Sequence, residues 1–136
     1  MANQTDDGQA TETKIKHGIL VKWALQPPQM QMLRSIDVLI STIQHIFPPA
    51  LGVPAHDYFA KWKPVSRNDV IGDSGTLDED KLKKAVRKLR FFLHPDKLPK
   101  DLSNEQQFMT KMLWDITNDA WEEYQKSKDE LDWIRK

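Results

Sequence analysis

The chain has 136 residues and a mass of 15.9 kDa, the size of one compact domain plus a tail or insertion and too small for two independent cores. An apolar fraction of 39%, a charged fraction of 29% and a mean hydropathy of −0.65 match a globular chain, and the longest apolar run is far short of the roughly 18 residues that a spanning helix needs. Without cysteine there is no disulfide framework, thiol nucleophile or iron–sulfur cluster, and no basic-then-apolar stretch opens these residues as a secretory leader would. The formal net charge of zero is unevenly spread: residues 1–80 carry −3, 81–100 carry +7 and 101–136 carry −4. One short basic segment can steer an acidic partner, while the neutral whole argues against indiscriminate polyanion binding.

Residues 1–14 are polar and without periodicity, which predicts a disordered tail ahead of a domain at about 15–126. Between Ile15 and Leu25, the cluster of Ile19, Leu20, Trp23 and Ala24 predicts a turn or two of helix, stopped by Pro27 and Pro28. Over about 30–47, Leu33, Ile36, Ile40, Ile43 and Phe47 recur at helical spacing, and Pro48 and Pro49 end that helix. Residues 48–75 read as a long, partly ordered connection with a short helix near 56–62, whose Tyr58, Phe59 and Trp62 tuck under the core.

Thr76-Leu77-Asp78-Glu79 has the form of a capping box and predicts a helix over about 76–93. Its first turn is acidic and the remainder basic, in keeping with the helix dipole, and Leu82, Ala85, Val86, Leu89, Phe92 and Leu93 supply the buried stripe. After Pro95, Ser103-Asn104-Glu105-Gln106 repeats the capping pattern and opens a helix over about 104–125. Residues 127–136 form a charged tail, helical if Leu131, Trp133 and Ile134 prolong that helix. The expected fold is all-α: an antiparallel helical hairpin of the last two helices, covered by the helix at 30–47.

The hairpin loop reads His94-Pro95-Asp96-Lys97, an imidazole and a carboxylate on either side of a proline at an exposed bend. Proline fixes one backbone dihedral and cannot continue the helix, so it holds its neighbours in a defined relation to the helix end.

Lys81-Leu-Lys-Lys-Ala-Val-Arg-Lys-Leu-Arg-Phe-Phe-Leu-His-Pro-Asp-Lys97 resembles the basic second helix and His-Pro-Asp loop of a J domain, the module that stimulates the ATPase of seventy-kilodalton heat-shock chaperones. The likeness narrows to the auxilin type. Ser35–Phe47 is similar to its long first helix, Trp62-Lys-Pro-Val65 to the tryptophan-proline segment before helix two, and Asn118-Asp-Ala-Trp121 to its third helix, so that about residues 19–125 are covered. Leu93 and Val86 stand where the family commonly carries aromatics, with Phe91 or Phe92 expected to compensate.

The resemblance implies that His94, Pro95, Asp96 and Lys97 contact the chaperone, together with Lys83, Arg87, Lys88 and Arg90 of the basic helix. It further implies a cytoplasmic, monomeric co-chaperone that prefers the ATP-bound partner and acts in disassembly of clathrin coats or other complexes. No clathrin-binding motif, Gly/Phe-rich linker or cysteine-rich substrate domain stands in these residues. The spacing of positions 83, 87 and 90 independently places them on one helix face, opposite Leu82 and Leu89.

The alternative is an interaction or nucleic-acid-binding module that keeps the fold without activating the chaperone. An enzyme is not expected: there is no phosphate-binding glycine loop, nucleophile elbow or carboxylate pair. The four histidines lack ligand spacing, so neither metal nor cofactor is expected, and membrane insertion is not expected either.

Overall fold

Helices and short helical turns make up most of residues 4–135, the part of the chain that the computed structural model describes. No β-strand occurs among the described residues; isolated bridges pair Leu25 with Leu33 and Ile71 with Leu77. The all-α class read from the sequence is therefore correct. The order is α1 (Gln4–Ile19), a π-helical turn (Leu20–Ala24), α2 (Ile36–Thr42), a 3-10 turn at Ile43–His45, further 3-10 turns at Ala50–Gly52, Asp57–Lys61 and Arg67–Val70, α3 (Glu79–Leu93) and α4 (Asn104–Arg135).

The first correction concerns residues 1–14. Residues 1–3 lie outside the described residues, and from Gln4 the backbone is helical rather than a disordered tail. Ile15 and Ile19, one turn apart, are buried in the core and anchor α1, while Thr11 and Glu12 lie across a groove from Asn104 and Phe108 of α4. A polar helix that docks by its far end leaves no apolar period over its first turns. After Ile19 the turn widens: the Leu25 amide donates to the Leu20 carbonyl five residues back, which keeps Trp23 and Ala24 buried. Trp23 Nε1 donates to Thr42 Oγ1 at 3.1 Å, joining this turn to α2.

The second correction is the start of α2, at Ile36 and not near residue 30. Residues 26–34 fold back instead: Gln26 N donates to Met32 O and Arg34 N to Ala24 O, both at 2.8 Å, with Met30 at φ 57°. These bonds to the chain behind occupy the backbone groups that a longer helix would need. Within α2, Ile36, Leu39 and Ile40 are buried, and the buried Asp37 accepts from Arg67 Nη2 at 3.1 Å.

The third correction moves the start of α3. Asp78, not Thr76, is the cap, its Oδ1 accepting from Lys81 N at 3.0 Å. Thr76 is occupied elsewhere, its hydroxyl 2.8 Å from that of Ser74 and its carbonyl accepting from Gly72 N. At α4 the expected box is present in full: Gln106 N donates to Ser103 Oγ at 3.2 Å and Ser103 N to Gln106 Oε1 at 2.7 Å. This helix runs on through the expected charged tail to Arg135. Near α3's start Glu79 pairs with Lys128, and near its end Arg90 lies over Trp114, so α3 and α4 run antiparallel.

One core joins these pieces. Leu39, Ile40 and Ile43 meet Leu82, Leu89 and Leu93 of α3 and Met109 and Leu113 of α4, each nearly inaccessible and each contributing about 1.5–3 kcal/mol by burial. The 48–75 segment is fastened to this core through aromatic rings: Phe47 lies 5.5 Å from Phe59 and Phe92 lies 5.2 Å from Trp62, centroid to centroid. Phe92 packs against Phe47, Tyr58 and Trp62, whereas Phe91 is 63% exposed. The expected helix near 56–62 is a 3-10 turn at Asp57–Lys61.

Candidate functional site

The α3–α4 connection is built as a tight turn. His94 leaves helical geometry at ψ 130°, and its carbonyl accepts from Lys97 N at 2.8 Å and Leu98 N at 3.2 Å. Its ring Nδ1 accepts from the Asp96 amide at 3.1 Å, which puts the proton of the neutral imidazole on Nε2. Asp96 Oδ2 stands 3.8 Å from the same nitrogen, and its side chain is 87% exposed. Pro95 and Lys97 are exposed, with the Lys97 ammonium 5.0 Å from the Phe91 ring centroid.

Trp114 of α4 holds this turn from the other helix. The His94 ring meets it edge-on at 5.6 Å and 86°, and the Arg90 guanidinium sits 5.6 Å above it. Such contacts contribute about 0.5–1 kcal/mol each at partly exposed sites. On one side of Trp114 is an open groove of about 400 Å³ that includes Lys83, Arg87, Arg90, Phe91 and His94 among its walls. On the other side, Pro95, Leu98 and Leu102 line a second hollow of about 540 Å³.

The eight residues expected to face a partner divide. Lys83, Arg87, Arg90 and His94 share the groove, with Pro95, Asp96 and Lys97 at the adjoining turn. Among the described residues no carboxylate lies within ion-pair distance of Lys83, Arg87 or Arg90. Their charge is available to an incoming anion. Lys88 is not with them: its ammonium lies 4.9 Å from the Trp62 ring centroid and donates to the Lys63 carbonyl at 3.0 Å. Lys81 likewise donates to the Ile71 carbonyl at 3.2 Å. One basic helix therefore has two jobs, with Lys81 and Lys88 fastening the 61–75 segment and Lys83, Arg87 and Arg90 facing outward.

Two residues at this end escape a sequence reading. Trp114 is indistinguishable in sequence from a core tryptophan; only its spacing of seven from Trp121, two turns along α4, puts it on the groove side. Tyr58 lies 34 residues before Phe92, yet its hydroxyl donates to the Phe92 carbonyl at 2.7 Å and its ring stacks on Phe92 at 4.6 Å and 18°. Burial pushes the Tyr58 phenol above its ordinary range, so it remains a donor at neutral pH.

Among the described residues, no group of three or more histidines and carboxylates is placed to hold a metal ion, and no helix is long and apolar enough to cross a membrane. No protein-family model, curated protein or solved structure matches this chain.

Proposed function

We propose that this chain is a J-domain co-chaperone of the auxilin type, which binds a seventy-kilodalton heat-shock chaperone and stimulates its ATPase, itself performing no chemistry. The observation that carries the reading is the His94-Pro95-Asp96 turn, closed by the bond from Asp96 N to His94 Nδ1 at the end of a helix whose Lys83, Arg87 and Arg90 carry no ion pair among the described residues. Long-range charge sets the encounter rate, and a short turn of fixed geometry sets the outcome of contact. The cytoplasm is the compartment this reading assigns, with disassembly of a clathrin coat or another complex as its process.

Activation of this kind is allosteric. A chain that stimulates a partner by binding can shift the partner's states only by the difference in its affinity for them. The reading therefore requires tighter binding to the chaperone's ATP form than to its ADP form. Titration of the labelled chain with each form is expected to show a preference of roughly tenfold, corresponding to a coupling of about 1.4 kcal/mol. Asp96→Asn is expected to erase that preference; equal affinity of the folded wild type for both forms would contradict the reading.

A further inference from the structure

We propose that Tyr58 is a positioning residue for the 94–97 turn, acting by deciding which acceptor the Asp96 amide takes. In an uninterrupted helix the Phe92 carbonyl would accept from the amide four residues on, which is that of Asp96. Here Asp96 N donates to His94 Nδ1 at 3.1 Å instead, and the Phe92 carbonyl receives the Tyr58 hydroxyl at 2.7 Å. The two bonds are linked, because a part-buried carbonyl left without its phenol donor would compete for the same amide.

The segment that carries Tyr58 is held at both ends of the connection. The His56 ring accepts from Tyr58 N through Nδ1 at 3.1 Å and meets Asp101 Oδ1 through Nε2 at 3.0 Å. Gln106 Nε2 donates to the Pro54 carbonyl at 2.6 Å and lies 3.3 Å from that of Ala55. Residues 54–58 thus bridge the last turn of α3 and the first turn of α4, spanning from outside the connection that bears His94, Pro95 and Asp96. The 54–58 segment has a task at the site: it fixes the turn's hydrogen-bond pattern before any partner arrives.

The functional consequence rests on the co-chaperone reading, but the structural consequence does not, and Tyr58→Phe separates them. Phenylalanine keeps the stacked ring and removes only the hydroxyl. In the isolated chain, the amide resonance of Asp96 and the Nδ1 resonance of His94 are expected to shift in NMR spectra as the amide leaves Nδ1 for the Phe92 carbonyl, with the amides of Met109–Thr117 unchanged. In the chaperone assay, maximal ATPase stimulation is expected to fall while the half-maximal concentration stays within a factor of two of wild type. Unchanged resonances at Asp96 and His94, or shifts spread evenly through α4, would overturn the proposal. Selective shifts at the turn beside a wild type that stimulates no ATPase would uphold the brace and remove the co-chaperone reading.

Discussion

At the scale of single residues, the basic helix shows how neighbours of one charge acquire different work. Arg87 faces the groove and Lys88, next in the chain, faces Trp62 and the Lys63 carbonyl. Arg87→Glu is therefore expected to raise the half-maximal concentration for ATPase stimulation about tenfold at low salt, with the deficit shrinking as ionic strength rises. Lys88→Ala is expected to leave that concentration unchanged and to lower stability by about 0.5–1 kcal/mol in urea denaturation, through the lost ring contact. Equal effects of the two substitutions on the half-maximal concentration would contradict this division. The His94–Lys97 cluster and the face shared by positions 83, 87 and 90 are legible from adjacency and helical spacing alone. What removes Lys88 from that set is a contact with a residue 26 positions earlier, and no local pattern encodes where the 61–75 segment folds back.

At the scale of elements, boundaries moved wherever backbone groups found partners off the helix. The stripe from Leu33 onward has helical spacing, yet Arg34 N is bound to Ala24 O and the helix begins at Ile36. Thr76 and Asp78 both suit the start of α3, and the choice falls to Asp78 because Thr76 is drawn into the Gly72–Gly75 turn. Asp78→Ala is accordingly expected to cost about 1 kcal/mol and lower Tm by about 3 °C, and Thr76→Ala to cost less than half of that, both read by thermal unfolding. The opposite order would return the cap to Thr76. By contrast, Ser103 Oγ and Gln106 Oε1 are kept for each other while only Gln106 Nε2 turns to the Pro54 carbonyl, so their reciprocal box is readable in full.

At the scale of the whole molecule, the helical class arises from the three-and-four spacing of apolar residues, and the antiparallel packing of α3 on α4 from two amphipathic stripes joined by a short connection. The place of α1 is not encoded in that way, because its polar first turns carry no period and its anchors lie at its end. Ile19 is fully buried there, and Ile19→Ala is expected to cost about 2–4 kcal/mol in the same single transition that α3 and α4 report. A loss below about 0.5 kcal/mol, within the range of a surface substitution, would detach α1 from the cooperative unit. With α1, α2 and the 48–75 segment all packed around α3 and α4, the fold acts as a scaffold that presents one turn and one basic groove at the same end.

The central claim is that this turn activates a chaperone. Its most direct test is single-turnover hydrolysis of ATP by a preformed complex with a cytosolic seventy-kilodalton heat-shock chaperone, comparing the wild-type chain with His94→Gln. The substitution removes the ring nitrogen that accepts from Asp96 N, together with the edge-on contact to Trp114. The account predicts that the wild type accelerates hydrolysis by about tenfold or more, roughly 1.4 kcal/mol of barrier, and that His94→Gln leaves the basal rate. Equal rates with the two chains, both folded and both at saturating concentration, would contradict it.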